Sequence, residues 1–158
     1  MRFVATNVPR RYAAVVAASG VNGLNDLTPQ AKQFMAPLPL VVDYELPGYK
    51  KMMGMFGGSH GGGDKGKQIV AAQALKDATM AHFIAENLKN NQKMLHYNGA
   101  FHSDFHDGIY WYLKQRNPQL KVLTISTVWQ EDLKKLEKEN EKKADFVLVV
   151  PTSMTKTY

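Results

Sequence analysis

The stretch that decides the fold is residues 68–97, QIVAAQALKDATMAHFIAENLKNNQKMLHY. From Gln68 to Leu88 the apolar side chains recur at helical spacing, and this pattern predicts a long helix. Residues Lys93 to Tyr97 form a short β-rich run that predicts a strand. A helix that leads into a strand is the repeating unit of α/β proteins, so this stretch indicates that class.

Short β-rich runs and helical stretches also alternate on both sides of residues 68–97. Further strands are predicted at Arg2–Thr6, Lys121–Ser126 and Phe146–Val150, and further helices at Arg10–Ala18, Asp43–Met55 and Asp104–Gln115. Strands separated by helices pair in parallel. We predict an α/β fold with a mostly parallel sheet flanked by helices, in a single domain over residues 1–158. So few strands make a small sheet, which suggests part of a larger unit.

Composition narrows the class of protein. The chain has 158 residues, of which 44% are hydrophobic and 22% charged, and this balance is typical of a globular domain. No apolar run approaches the roughly 20 residues that cross a bilayer, and the start, MRFVATNVPRR, does not read as a signal peptide. The absence of cysteine excludes disulfides, thiolate metal sites and a cysteine nucleophile.

The net charge of +6 raises the question of an anionic partner. Residues 131–145, EDLKKLEKENEKKAD, hold five lysines against six acids, and we interpret them as a solvated helix face. The unbalanced basic residues are Arg10, Arg11, Lys50, Lys51, Lys65 and Lys67. Because no basic stripe is interleaved with aromatic residues, we expect no nucleic-acid partner.

A glycine-rich segment, GGSHGGGDKG at 57–66, predicts a flexible loop because six of its ten residues are glycine. Gly61 to Lys67 has the spacing G-x-x-x-x-G-K of a phosphate-binding loop, but Gln68 stands where Ser or Thr would bind magnesium. We therefore interpret the segment as a mobile loop over a pocket, with His60 at its centre.

Two polar residues interrupt the apolar stripe of the long helix. Met80, Ile84 and Leu88 share one face, and the same face carries Asp77 and Gln73 one and two turns earlier. A core helix usually keeps such a stripe apolar. Gln73 and Asp77 either bond to nearby backbone or reach a site at that end of the helix.

The segment NGAFHSDFHDGIYWYL, residues 98–113, follows a predicted strand and so lies at the carboxyl edge of the sheet, where open α/β folds bind ligands. Ser103 or Asp104 is the predicted N-cap of the next helix. His102 is then either a site residue or a side chain that bonds the turn, and His106 is expected to point partly to solvent. The H-x-x-x-H spacing lacks the glutamate of a zinc protease motif.

Three blocks carry a family resemblance: NVPRRYAAVVAASGVNGL at 7–24, QALKDATMAHFIAENL at 73–88, and NGAFHSDFHDGIYWYLKQRNPQLKVLTIS at 98–126. Together they resemble the second half of the ChaN-like haem-binding uptake family of the Tiki superfamily. The resemblance implies an α/β fold, a role in bacterial haem or iron uptake, and a lipoprotein at the cell envelope. It also implies haem bound by a tyrosine between the subunits of a homodimer, and suggests an outer-membrane haem receptor as a partner. The strand with a G-E-x-H motif that usually begins the family is missing here.

On that basis, the segment 43–60, DYELPGYKKMMGMFGGSH, offers the residue types that haem needs. Tyr49 is the first candidate for the iron ligand, because Met52, Met53 and Phe56 follow it at one to two turns. Tyr44 and Tyr12 are further candidates, and His60, Met52, Gln73, Asp77 and His102 are candidate contacts. Arg10 and Arg11 are candidates for binding the propionates, or are simply solvated. The alternative is that this segment forms only a core or interface helix.

A hydrolase is the alternative function, because the superfamily also contains hydrolases that use histidine and glutamate with or without a metal. His102 with Asp77 and Asp104 would then form the site. The missing glutamate–histidine motif argues against catalysis, and the expectation is a protein that is not an enzyme. A third possibility is an interaction module without a ligand.

Overall fold

The computed structural model describes residues 2–56, 63–89 and 91–155. Its helices are α1 (Arg10–Ser19), α2 (Pro29–Lys32), α3 (Pro47–Phe56), α4 (Asp64–Asn87) and α5 (Ile109–Arg116). Its strands are β1 (Ile125–Gln130) and β2 (Phe146–Pro151), which pair in parallel. Short 3₁₀ turns lie at Val21–Leu24, Ala100–His102, Asp104–His106 and Lys138–Asn140. The combination of helices with a parallel pair of strands confirms the α/β class.

Helix α4 is the centre of the molecule, with α1, α3 and α5 packed around it. Its buried alanines contribute to two separate apolar clusters: Ala71 and Ala72 pack with residues of α1, and Ala74, Ala78 and Ala81 pack with residues of α3 and α5. Small side chains let the neighbouring helices approach closely. Because the middle of α4 is covered on several sides, the polar side chains of Gln73 and Asp77 there are buried.

The sheet consists of β1 and β2 in the described part of the chain, with Ile125 opposite Phe146 and Val128 opposite Val149. Burial alternates along β1, so that Ser126, Val128 and Gln130 are buried and the residues between them are exposed. This alternation follows from the two-residue period of a strand. The strand predicted from residue 146 is confirmed and extends to Pro151, whereas β1 begins at Ile125, four residues later than predicted.

The strands predicted at 2–6 and 93–97 are wrong for this structure, because neither segment has regular secondary structure. Among the described residues, no backbone–backbone hydrogen bond involves either segment. A strand exists only where a neighbour accepts and donates its ladder bonds. The two segments are linked through side chains instead, by a 2.8 Å contact between Thr6 Oγ1 and His96 Nε2.

The helix predicted over 131–145 is also wrong. The segment forms turns and the 3₁₀ turn Lys138–Asn140. The buried side chain of Gln130 explains the difference, because its amide binds the carbonyl oxygens of Asp132 and Lys135 and accepts from the amide of Glu137. Side-chain bonds of this kind compete with helical backbone bonds.

Helix positions were predicted better than helix boundaries. The helix predicted over 10–18 is confirmed as α1. The helix predicted over 43–55 forms as α3 but begins only at Pro47, whose missing N–H does no harm at the first helical position. Helix α4 starts at Asp64 rather than Gln68, so the last three residues of the predicted glycine loop are helical. Residues 57–62 of that loop lie outside the described residues.

Helix α5 starts at Ile109 instead of the predicted Asp104. Phe105 and His106 have φ angles of 59° and Gly108 has a φ of 51°, and a right-handed helix cannot continue through such values. The predicted N-cap at Ser103 or Asp104 is therefore wrong. The chain makes two 3₁₀ turns before α5, and these turns position His102.

No helix within residues 2–56, 63–89 and 91–155 combines the length and hydropathy that a membrane span requires.

Candidate functional site

The site is built on Asp77, a carboxylate in the middle of α4 that has no exposed surface. The hydroxyl of Tyr49 on α3 donates to Asp77 Oδ2 at 2.7 Å, and Nδ1 of His102 forms a short hydrogen bond with Asp77 Oδ1. Burial raises the pKa of Asp77, while the hydrogen bonds from His102 and Tyr49 oppose this rise. Three separate elements thus meet at one buried carboxylate.

His102 ends the 3₁₀ turn Ala100–His102, and its side chain is 17% exposed. Its Nδ1 faces Asp77 Oδ1 and also lies 2.8 Å from Nε2 of Gln73. Its Nε2 makes no hydrogen bond within the part of the chain that the structure describes. We assign the Nδ1 proton to the bond with Asp77, because a carboxylate is the stronger acceptor. Nε2 then carries a free lone pair.

The backbone that carries His102 is held close to Asp77 by Gly108. A Cβ atom on Gly108 would lie 2.5 Å from the carbonyl oxygen of His102 and 3.0 Å from Asp77 Oδ2. Gly108 also has a positive φ of 51°, which other residues rarely adopt. Only glycine allows this approach. Nearby, Asp107 accepts a 2.6 Å hydrogen bond from the amide of Gly48, which joins the same loop to the start of α3.

A cavity of about 670 Å³ lies beside this network, between α1, α3, α4 and the segment 99–102. Its wall is mostly apolar, and its cationic and polar groups are few. The apolar side chains are Ala13, Ala14, Ala17, Met52, Met55, Phe56, Ile69, Ala72, Ala100 and Phe101, and the polar ones are Arg10, Gln73, Lys76 and His102. An apolar cavity with a small number of convergent polar groups is the usual form of a small-molecule site.

A smaller cavity of about 180 Å³ lies behind Ala100 and Phe101, which contribute to both walls. Lys51, Asp104 and Lys143 supply its charged groups. Asp104 already has partners, because it accepts a 2.8 Å hydrogen bond from Ser126 and lies 3.7 Å from Lys143 Nζ. We therefore place the candidate site in the larger cavity.

The structure brings together several of the residues predicted to form a site. Arg10, Met52, Gln73 and His102 line the larger cavity, and Asp77 lies directly behind His102. For Gln73 and Asp77, two interpretations had remained open. Within the part of the chain that the structure describes, neither side chain bonds to backbone, and both contact His102.

Tyr49, the first candidate for the iron ligand, does not line either cavity. Its side chain is 1% exposed, and its hydroxyl proton is committed to Asp77. Burial and the adjacent carboxylate raise the pKa of Tyr49 far above its usual range, so the tyrosinate that binds iron is strongly disfavoured. Tyr44 is absent from both walls as well, because it packs against the apolar cluster around α3 and α5. The monomer gives the tyrosine ligand no support.

Two other candidate residues, Arg11 and Tyr12, line neither of the two cavities. The guanidinium of Arg11 donates to the hydroxyl of Tyr12 at 3.0 Å and stacks over its ring, so neither residue reaches the cavity wall. His60 falls outside the described residues. His106, which was expected to point partly to solvent, has a side chain that is 32% exposed and contacts Thr124 and Asp145, the residues just before β1 and β2.

The sequence interpretation missed Lys76, Ile69 and Phe101 in the cavity wall and Gly108 behind it. Lys76 follows Gln73 by three residues, so helical spacing alone places both on one face. The Asp107-Gly108 dipeptide is a turn signal that marks a left-handed backbone. Phe101 carried no comparable signal, because its place depends on the two 3₁₀ turns.

Among the described residues, no group of three or more His, Asp or Glu side chains is arranged to hold a metal ion. The imidazole of His102 is one donor in the wall of the larger cavity, and a single protein donor suits a metal whose other ligands come from an organic cofactor.

Comparison with known proteins gives a match to a family model. A family model described as haem-binding uptake, Tiki superfamily, ChaN matches residues 1–113, which include the whole wall of the larger cavity together with Tyr49, Asp77 and Gly108. No curated protein and no solved structure matches the chain.

Proposed function

The chain belongs to the haem-binding uptake family of the Tiki superfamily, and from this premise we propose that it binds haem in the larger cavity with His102 as the iron ligand. The observation that carries the proposal is that His102 lines an apolar cavity while its Nε2 makes no hydrogen bond within the described residues. Neutral imidazole is a common axial ligand of haem iron.

The size and chemistry of the cavity support this assignment. Its volume of about 670 Å³ falls within the range of about 300–1,000 Å³ that small-molecule sites occupy. Met52, Met55, Phe56 and Phe101 offer soft and aromatic contacts suited to a porphyrin face. Bound haem would supply an iron centre for ligand exchange or electron transfer, and the protein's own residues hold and orient it.

Two cations at the cavity wall are suited to the propionates. Arg10 begins α1 and Lys76 lies on α4, and neither forms an ion pair within the described residues. A guanidinium binds a carboxylate in a bidentate manner, and an ammonium binds it as a point charge. Arg10 was among the predicted propionate contacts; in this proposal Lys76 takes the place of Arg11.

A homodimer remains part of the proposal, because the cavity opens to solvent. Met55, Phe56 and Phe101 line it, yet each is more than half exposed. A second copy that covers these side chains would remove both them and the porphyrin edge from water. The mass of the hemin-loaded protein in solution tests this: twice the chain mass supports the dimer, and a single chain mass contradicts it.

The role in iron uptake, the cell-envelope location and the outer-membrane receptor remain predictions from the family resemblance. They concern the cellular setting of the protein rather than its ligand. Binding of haem can be tested without them.

The decisive experiment is a hemin titration followed by absorbance in the Soret region. We expect a shifted band for the native protein and for Tyr49→Phe and Tyr44→Phe, and loss of the shift in His102→Ala. His82→Ala is the matched control, since His82 lies on α4 but contacts Arg116 instead of the cavity. A band that survives His102→Ala and disappears in a tyrosine variant would restore the tyrosine ligand. No shift in the native protein would contradict haem binding.

One observation favours the second candidate function, a hydrolase. The pairing of Asp77 with His102 resembles the acid–histidine pair that activates a nucleophile. No serine or threonine lines the larger cavity among the described residues, so water would be the nucleophile. Asp104, the third predicted member of that site, is bound to Ser126 and Lys143 instead. Ester hydrolysis that His102→Ala abolishes, in protein free of hemin, would support this alternative.

A further inference from the structure

We infer that Asp77 and Tyr49 are positioning residues for His102: the carboxylate holds the imidazole in its Nδ1–H tautomer, which leaves Nε2 unprotonated toward the cavity, and Tyr49 holds the carboxylate. The tautomer is a property of the ligand-free chain. Its effect on a bound iron rests on the proposed haem site.

Burying the carboxylate of Asp77 carries a free-energy cost. Asp77 has no exposed surface and lies on a helix whose buried neighbours are largely alanines. Removing an ionised carboxylate from water costs several kcal/mol unless hydrogen bonds and charge compensate it. An apolar side chain at this position would avoid that cost. The carboxylate therefore has a task that an apolar side chain cannot perform.

The two oxygens of the Asp77 carboxylate accept hydrogen bonds from two different side chains. Tyr49 donates to Oδ2 at 2.7 Å from α3, and His102 donates to Oδ1 from the loop before α5. Each oxygen has a different donor, so the carboxylate cannot rotate without breaking one bond. Tyr49 is itself buried and cannot swing away. The acceptor for His102 is thus fixed in both position and orientation.

Asp77 and Gln73 compete for Nδ1 of His102. Nε2 of Gln73 lies 2.8 Å from the same Nδ1 atom. A donor in that place would favour a bare Nδ1 and a proton on Nε2, which would block any ligand bond from the cavity. The carboxylate decides the outcome, because a charge-assisted bond is about twice as strong as a neutral one. The two contacts predict opposite tautomers, so the tautomer is a direct readout of which contact dominates.

The consequence at a bound iron follows from general metal chemistry. A histidine ligand whose second N–H donates to a carboxylate is more basic and better oriented than one without that partner. A more basic axial ligand stabilises ferric over ferrous iron and lowers the reduction potential. Asp77 would act on the iron through His102 without touching it.

The first experiment measures the tautomer of His102 in the ligand-free full chain, by ¹⁵N NMR of the imidazole at a pH where the ring is neutral. We expect Nδ1–H to dominate in the native protein and in Gln73→Leu, and its share to fall in Asp77→Asn. In Tyr49→Phe, the share of the Nδ1–H tautomer should lie between those of the native protein and Asp77→Asn. Asp107→Asn is the matched control, because this carboxylate is also buried but binds the amide of Gly48. A native protein with the proton on Nε2 would overturn the inference, even if no variant folded.

The second experiment measures the reduction potential and the iron–histidine stretching frequency of the hemin-loaded chain. We expect Asp77→Asn to shift the potential to more positive values and the frequency to lower values, and Tyr49→Phe to shift both less. Asp107→Asn should leave both unchanged. A potential and frequency that are the same in all variants would overturn the effect on iron. If the native protein binds no hemin, the proposed haem site fails, and the NMR result still decides whether Asp77 positions His102.

Discussion

The region around α4 buries polar side chains, whereas the β1–β2 sheet exposes apolar ones. Beside α4, a carboxylate and an amide are buried among alanines. On the sheet, Ile125, Phe146 and Leu148 are each more than half exposed. Among the described residues, the buried polar side chains all have hydrogen-bond partners, whereas the exposed apolar groups of the sheet follow from strand alternation. Burial here depends on which partners the tertiary structure supplies, and hydropathy alone does not predict it.

The largest expected effect is that of Gly108→Ala, because this residue makes the closest backbone contact beside α4. The new Cβ would meet the carbonyl oxygen of His102 at 2.5 Å, in a backbone conformation with positive φ. We expect the free energy of unfolding to fall by about 3 kcal/mol. Gly54→Ala is the control, because nothing lies within 4 Å of its Cβ position in α3, and it should stabilise slightly. Equal effects of the two changes in urea unfolding would contradict the close contact.

Tyr49→Phe is expected to have the next largest effect, because it removes one of the two donors to the Asp77 carboxylate. A hydrogen bond to a charged group contributes about 1.5–3 kcal/mol, so we expect a loss of about 2 kcal/mol in unfolding free energy. Tyr112→Phe is the matched comparison, since its hydroxyl donates to the neutral carbonyl of Val41 at 2.6 Å, and about 1 kcal/mol is expected. The reverse order would mean that the carboxylate is not the stronger partner.

A pair of substitutions within β1 sharpens the contrast on the sheet. Val128 is 5% exposed and Ile125 is 63% exposed, so threonine at each position keeps the branched shape and adds a hydroxyl in two different environments. Val128→Thr should lower the unfolding free energy by about 1–2 kcal/mol, because the hydroxyl is buried. Ile125→Thr should change it by less than about 0.5 kcal/mol. Similar losses for both would show that the Ile125 face is covered in solution.

The smallest expected effect is on the pH dependence of stability and comes from Asp145, which directly precedes β2. The backbone amide of Thr124, and then its hydroxyl, hold the pKa of Asp145 below its usual range. The folded state therefore binds this proton less tightly than the unfolded chain. The resulting stability is present above the unfolded pKa of about 3.9 and is lost as the pH falls through the folded value.

Asp145→Asn should therefore lower the melting temperature by about 2 °C at pH 7, and this difference should shrink at a low pH, below the unfolded pKa of about 3.9. Thermal unfolding at the two pH values checks this. A difference that persists at the low pH would mean that Asp145 acts through packing instead of charge.

Much of the candidate site could be predicted from the sequence. Gln73 and Asp77 were selected because polar residues interrupt an apolar stripe. His102 was selected because it follows residues 93–97, although the strand predicted there does not form. The choice of Tyr49 as a ligand was reasonable by composition, since Met52 and Phe56 follow it at helical spacing. It was not supported because α3 turns Tyr49 toward α4 and Met52 toward the cavity, a rotation that only packing decides.

The sequence by itself determined the α/β class, the positions of α1, α4 and β2, and the polar residues that interrupt the apolar face of α4, because these depend on local periodicity and on few neighbours. The tertiary structure alone decided that residues 2–6 and 93–97 form no ladder, that Gln130 replaces a helix by turns, and that His102 faces Asp77. The missing ladders and the contact between His102 and Asp77 depend on partners far away in the chain, and the local pattern carries no information about where those partners lie. The partners of Gln130 are only two to seven residues away, but its bonds to them form on a side chain that the tertiary structure buries.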